Sequence, residues 1–278
     1  MAEAAETTRR AAPAGRATPA RRRGGGGNSV LLMTLAVAAL VVAAWEFLPP
    51  LFDVPRYIIP TFSQCLEELA RMVRLDNLVG HTLSTLWFTV LGFAIGSFLG
   101  AAIGYLLGTS EFWEKVLSPY ILALQIAPKV AFAPLFIMWF GFTFWPKLLV
   151  TILIVFFPIL VNVLQAMKSV DRDLINLARA YNLSRWQIFM KVQFPSTLPS
   201  LMAGLRIGAT LAVIGVTVGE LVGGNTGLGF LISYGEGQAN AAMVFNAILL
   251  LTCIGILLYW AVTVVEARLL HYMPRREE

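Results

Sequence analysis

The stretch "LARAYNLSRWQIFMKVQFPSTLP", residues 177–199, decides how this chain is read. It is polar and dense in helix signals, yet it lies between two strongly apolar segments. Asp171 can accept from the first N–H groups of a helix running through "RDLINLARAY". Asn182 follows, and Asn is among the few residues with a side chain that accept the left-handed backbone ending a helix. Ser184 opens a second helix, and Gln187 stands at capping-box spacing from it. That helix reads "RWQIFMKV" and is expected to stop before Pro195. Residues 168–199 are thus expected to form helix, tight turn, helix.

The surroundings of this polar island are membrane-like. The chain has 278 residues, 58% hydrophobic and 13% charged, whereas a soluble domain carries roughly 25% charged residues. A helical span needs about 20 apolar residues, and six segments qualify: 29–48, 82–108, 116–140, 147–167, 200–222 and 243–266. The second contains Gly92, Gly96, Gly100, Gly104 and Gly108. Small residues at that spacing let another helix come close in lipid. Each step of four residues turns about 40° around the axis, so the glycines draw a slanted groove for a crossing helix of the same subunit, with a subunit contact as the other use. The third span is interrupted by Pro119, Pro128 and Pro134, a break tolerated where the backbone is buried or lines a cavity. Residues 61–79 are too polar to span. Thr61 and Gln64 have capping-box spacing, with Phe62, Leu66, Leu69 and Val73 on one face and Glu67, Glu68, Arg71 and Arg74 on the other. They are expected to form a helix lying at the outer interface.

The formal charge of +5 could suggest nucleic acid, but its distribution argues for membrane orientation. Residues 1–28 are low-complexity and carry six arginines and two glutamates; they are expected to be a disordered basic tail. The apolar run that follows is too long for a secretory signal and is read as an uncleaved first span. The island carries Lys168, Arg172, Arg179, Arg185 and Lys191, whereas the loop 223–242 has no Lys or Arg. Six spans then place both termini and the island in the cytoplasm and the 223–242 loop outside. The chain divides into the tail 1–28, a first span with the outer helix at 29–80, a membrane core at 81–267 holding the island 168–199, and a C-terminal tail 268–278. Cys65 and Cys253 form no disulfide framework, and two histidines without HExxH leave no metal spacing. With G-x-S-x-G also missing, a membrane enzyme is disfavoured.

Charges within spans are the candidates for function. Lys129, between two prolines in "IAPKVAFAP", can line a pathway and attract an anion, or snorkel or pair with a carboxylate. Glu220 ends the fifth span and can gate, meet an outer partner or reach the interface. Glu46 beside Trp45 reads as an interface anchor, and Arg206 as snorkelling to the cytoplasmic face. Gly227 and Gly229 shape a turn, with a gate role as the alternative. The island's two helices could mean DNA binding, but both ends are tied into the membrane within a few residues. A plain connecting loop would not need two caps, so a docking element for a cytoplasmic partner is the better account.

With these residues in place, the chain resembles the permeases of type I ABC importers. Their cytoplasmic signature is E-A-A, three residues, G, nine residues, I-x-L-P. The register here is Asn176-Leu177-Ala178, then Asn182, then Val192-x-Phe194-Pro195, without gaps. Glu, the first Ala and Gly are replaced, the last mildly because Asn accepts the same backbone. "IIPTFSQCLEEL", "HTLSTLWFTVLGFAIGSFLGAAIGYLLG", "APLFIMWFGF", "FFPILVNVLQAMKSVD", "GLRIGATLAVIGVTVGE" and "GLGFLI" are similar, in order and spacing, to the nitrate/sulfonate/taurine-type branch, over about residues 58–266.

The resemblance implies an all-α fold of six transmembrane helices with an outer interfacial helix and a cytoplasmic coupling helix-turn-helix. It implies a bacterial inner-membrane protein working with a second permease copy, an ABC ATP-binding subunit dimer and an extracytoplasmic solute-binding protein. The coupling residues would be Asn176, Leu177, Ala178, Asn182, Leu183, Ser184, Arg185, Trp186, Val192, Phe194 and Pro195. No cofactor is expected on this chain: it has no G-x-x-x-x-G-K-[ST] loop, so ATP and Mg would sit on the partner. The implied cargo is a sulfonate-, taurine- or nitrate-like anion or a related metabolite. A secondary transporter or channel is the alternative; it would need mid-membrane carboxylates and inverted repeats, and Glu46, Glu220 and Glu266 all lie near span ends.

Overall fold

The computed structural model describes residues 26–271; most of the two expected tails, 1–25 and 272–278, lies outside them. The described residues are helical and contain no strand. The chain divides into two compact units, Met1–Trp45 and Glu46–Glu278. Helix α1 (Gly26–Leu51) supplies the described part of the first unit and continues into the second. It starts at Gly26, inside the segment expected to be tail, and runs through Pro49 and Pro50, where a stop was expected. Proline withdraws an N–H donor but keeps its carbonyl. Leu48, Pro49 and Pro50 accept in turn from Phe52, Val54 and Asp53, which closes the helix just beyond the prolines.

The second unit is a bundle built around α6 (Trp145–Lys168). Helix α3 (Leu78–Gly108) lays its glycine groove on α6. Gly92 meets Thr151, Gly96 meets Val155, Gly100 meets Ile159 and the Phe156 carbonyl, Gly104 meets Val163, and Gly108 meets Met167. The groove thus serves packing within one subunit, as expected. Helix α9 (Phe194–Gly223) brings a second set of glycines to α6: Gly208 against Ile159, Gly215 against Thr151 and Gly219 against Lys147. A Cβ on Gly100 would stand 2.6 Å from the Phe156 carbonyl oxygen, and one on Gly215 would stand 2.7 Å from the Thr151 Cα. Around this three-helix contact gather Tyr105, Val155, Ile159, Val163, Leu198, Met202 and Val262.

The broken third span is α4 (Glu111–Ile126) and α5 (Phe132–Phe140), bent by 74° with a short 3-10 turn Lys129–Ala131 between them. Among the described residues, five helices are long and apolar enough to cross a membrane, and the bent pair makes a sixth if it crosses as one. The outer helix is α2 (Phe62–Leu75), with the Thr61–Gln64 capping box formed. It is amphipathic as expected, and it packs on the bundle through a stripe beside the apolar face. Cys65 and Met72 are buried, whereas Leu66 and Val73 are each 51% exposed. The reason is a polar anchor on the last span, α11 (Ala241–Leu269): the Asn246 side chain donates to the Cys65 carbonyl at 2.8 Å. Leu66 and Val73 of the apolar face are left for lipid, while Leu69 packs against the bundle. Burial pushes the Cys65 thiol above its ordinary range and leaves it a small core hydrophobe. The 223–242 segment is not a plain loop; it contains α10 (Leu228–Gly237), packed with Met72, Leu78, Met243 and Ala247. Helix α11 continues to Leu269, two residues into the expected C-terminal tail.

If close approach to α6 organises the bundle, Gly100→Val should lower the detergent-solubilised protein's thermal midpoint, at a cost of about 1–3 kcal/mol from overpacking. Gly237→Ala, whose Cβ would meet nothing within 4 Å, should leave the midpoint unchanged.

Candidate functional site

Two constellations stand at opposite ends of α9. The first is the island. Asp171 caps α7 (Arg172–Ala180), its carboxylate accepting from the Asp173 N–H at 2.8 Å. Asn182 then takes the left-handed conformation, φ 56°. Its N–H reaches the Arg179 carbonyl at 2.8 Å, and the Leu183 N–H reaches the Ala178 carbonyl at 3.1 Å. These two bonds are the Schellman closure of a helix end, so Asn182 stands where the backbone requires a residue tolerant of positive φ. Ser184 and Gln187 cap α8 (Arg185–Ile188) reciprocally.

The second helix does not stop at Pro195. Phe189–Gln193 form a π turn, and α9 begins at Phe194, so the helical path from Arg185 to Gly223 is continuous over 39 residues. The Phe194 N–H bonds five residues back to the Phe189 carbonyl. This widened turn admits the ring of Pro195, which would clash in a regular α-helix. The island therefore spans less than 168–199: Lys168 closes α6 and Phe194 opens α9. Of the expected coupling residues, Ala178 is buried and holds the two helices together, while Leu177 and Trp186 are 55% and 65% exposed. Tyr181, which lies between the two helices, is 75% exposed. Leu183 is half-buried, Asn176, Asn182, Ser184 and Arg185 are exposed, and Val192, Phe194 and Pro195 are half-buried at the junction with α9.

The second constellation is a charge cluster at the far end of α9. Glu220 is fully buried and Lys147 of α6 is 4% exposed. Their ion pair measures 3.5 Å. Lys147 also donates to Ser84 at 3.3 Å and Thr226 at 3.5 Å, and lies 4.3 Å from the Phe88 ring centroid. The Thr85 hydroxyl donates to Glu220 Oε2 at 2.9 Å and accepts from the Leu228 N–H at 2.7 Å. Gly229 N–H donates to Glu220 Oε2 at 3.0 Å, and Gly227 N–H to His81 Nδ1 at 2.9 Å. The first three N–H groups at the start of α10, which have no intrahelical partners, are thus each taken by a side chain or carboxylate from α3 or α9. Gly227 has φ 114° and lies against the Glu220 carboxylate with no room for a Cβ. Gly227 makes the turn, Gly229 lies in the first turn of α10, and both pack against Glu220.

Glu220 reaches neither an interface nor solvent in this conformation, and the structure does not bring it together with Lys129. The Lys129 amine donates to the Gln125 carbonyl and lies 5.1 Å from the Phe157 ring centroid, at the α4–α5 break. Glu46 is not a free interface anchor: it accepts from the Ser63 N–H at 2.9 Å and hydroxyl at 2.8 Å, at the start of α2. Arg206 pairs with Glu266 of α11 at 3.4 Å rather than only snorkelling. Lys147 and Thr85 escaped sequence reasoning. Lys147 sits in the first turn of α6, where a lysine ordinarily marks an interface; only its partner across 73 residues reveals it. The amine of Lys147 meets Ser84 as a donor while paired with Glu220, and the cluster's geometry serves to hold backbone in place. Removing one member of a buried ion pair costs about 3–5 kcal/mol. Lys147→Met should therefore destabilise the purified chain strongly, and adding Glu220→Gln should recover part of the loss in the same thermal-unfolding measurement.

Residues 92–271 match the family described as binding-protein-dependent transport system inner membrane component. The formylaminopyrimidine transport permease protein ThiX of Halalkalibacterium halodurans is 34% identical over 85% of this chain and 94% of its own length. The riboflavin transport system permease protein RibX of Chloroflexus aurantiacus is 35% identical over 84% of this chain and 87% of its own. The putative aliphatic sulfonates transport permease protein SsuC of Bacillus subtilis is 32% identical over 86% of each chain. A chain of the MetNI methionine ABC transporter, in an inward-facing conformation, shares the fold with a TM-score of 0.63 over 70% of this chain and 97% of that one, at 21% identity. The chain belongs to the binding-protein-dependent transport system inner membrane component family and is an ABC importer permease of the type I fold.

Proposed function

We propose that this permease works as one of two copies, is driven by a separate ATP-hydrolysing subunit dimer gripping the α7–α8 hairpin, and receives its solute from an extracytoplasmic binding protein. The observation that carries this reading is the hairpin itself. It is rigidly capped, it exposes Leu177, Tyr181 and Trp186, and it is continuous with α9. An exposed apolar tip rimmed by polar residues is the mark of a protein contact. Helix α9 is about 45 Å long at 1.5 Å per residue, so a displacement of the hairpin reaches the Glu220 cluster along one helix. ATP and Mg belong to the partner subunit in this scheme. The positive-inside charge pattern supports cytoplasmic termini and hairpin, with the Glu220 cluster near the outer face.

The cargo proposed is a small anion of the sulfonate class or a related metabolite. The relatives' names span sulfonates, a pyrimidine and a flavin, which fits a permease whose selectivity is set largely by the binding protein. Lys129 supports an anion, because it offers a cation on the α4–α5 break. The buried Lys147–Glu220 pair is the one feature that would favour a secondary transporter, since ion coupling uses buried carboxylates. In proteoliposomes, uptake of the solute held by the cognate binding protein should require that protein, the ATPase subunits and ATP, and should survive an uncoupler. Uptake by the permease alone, or uptake abolished by the uncoupler, would reverse the assignment. Ala178→Asp puts a carboxylate into the packed base of the hairpin and should cut ATP-driven uptake at least tenfold, with the chain still membrane-inserted. Normal uptake and normal co-purification with the ATPase would remove the docking role.

A further inference from the structure

A cavity of about 850 Å³ lies between the hairpin and the ends of α3, α4 and α6. Five cations line it, Lys115, Lys168, Arg172, Arg179 and Arg185, with two carboxylates, Glu111 and Glu114. Each carboxylate has a lysine beside it: Glu114 pairs with Lys168, and the exposed Glu111 approaches Lys115 at 3.8 Å. Arg172, Arg179 and Arg185 make no ion pair or side-chain hydrogen bond among the described residues. The cavity therefore presents three guanidinium groups with their donors unused and no carboxylate left to face them. A guanidinium fork matches the oxygens of a phosphate.

The walls of the cavity point to the phosphate's source. Its walls include the last turns of α3 and α6 and the first turn of α4, all of them ends of apolar helices. That first turn of α4 also exposes Phe112 and Trp113, 67% and 55%, the aromatic residues that settle at a headgroup boundary. Leu177, Tyr181 and Trp186, the exposed tip assigned to the ATPase, do not line the cavity, whereas Leu183 and Arg185 of the expected coupling residues do. We infer that the cavity binds the headgroup of an anionic phospholipid of the cytoplasmic leaflet, holding the underside of the hairpin to the membrane. The leaflet assignment rests on the orientation given under Proposed function; the binding itself does not depend on ATP-driven transport.

The test uses the full-length chain in detergent, by native mass spectrometry with phosphatidylglycerol or phosphatidylcholine. Phosphatidylglycerol should be retained preferentially. An arginine near an anionic surface contributes about fivefold in affinity, so Arg172→Gln/Arg179→Gln/Arg185→Gln together should weaken retention about a hundredfold. The matching triple lysine variant, which keeps the charge, should retain most of it and shows that the fold tolerates change at these positions. Equal retention of the two lipids, or undiminished phosphatidylglycerol binding by the glutamine variant, overturns the inference. Displacement of the lipid by millimolar inorganic phosphate would assign a free-anion site instead. Displacement by the ATPase subunit would assign the arginines to an acidic segment of that partner. None of these readings changes if the chain fails to import with an ATPase, so the two proposals fail separately.

Discussion

The bundle depends on how closely α6 can be approached from two sides. Glycines of α3 and α9 converge on the same residues of α6, with Thr151 touched by both Gly92 and Gly215. In lipid there is no hydrophobic gain from bringing helices together, so close van der Waals packing has to supply the attraction. Side chains at these positions would hold the backbones apart and lose it. The same closeness creates the charge cluster. Gly219 lets α9 lie directly against Lys147, which puts Glu220 within reach of the amine. A buried charge is costly unless paired and hydrogen-bonded, and here the pair is saturated by Ser84, Thr85, Thr226 and the start of α10.

Helix α9 connects this cluster to the hairpin. Its near end is joined to α8 through a π turn that accommodates Pro195, so no flexible link separates the two. Tyr105 of α3 donates or accepts with Thr197 at 3.1 Å and packs against Phe189 and Phe194, fixing the π turn to the bundle. A packed element of this kind moves as a body rather than bending. In the proposed scheme that property lets the hairpin serve as a handle, with a force on it displacing α9 instead of being absorbed in a loop.

Much of this was legible in the sequence, and the reasons differ by feature. The caps at Thr61, Asp171 and Ser184 and the left-handed Asn182 are local, set by hydrogen bonds within a few residues, and each appears where the residue types place it. The glycine groove was legible because spacing alone defines a helix face. The stop at Pro195 was not, since a π turn depends on the Tyr105 and Phe189 packing that no window of sequence shows. The apolar face of α2 was legible from spacing, but not the stripe by which it packs, because Asn246, 181 residues from Cys65, selects that stripe. Helix α10 was hidden by its glycines, which read as loop; its start is held by His81, Thr85 and Glu220. The Lys147–Glu220 pair joins a carboxylate singled out in the sequence to a lysine that looked like an ordinary span end.

The central claim is that the hairpin and the Glu220 cluster are ends of one moving part. It is tested most directly by labelling Asn225→Cys, in the exposed turn beside the cluster, with a membrane-impermeant maleimide. Cys65 and Cys253 would be replaced by serine, and the permease reconstituted with its ATPase subunits and binding protein. The account predicts that adding ATP changes the labelling rate several-fold and that Asn182→Pro in the hairpin abolishes the change. A labelling rate indifferent to nucleotide in the intact assembly would contradict it.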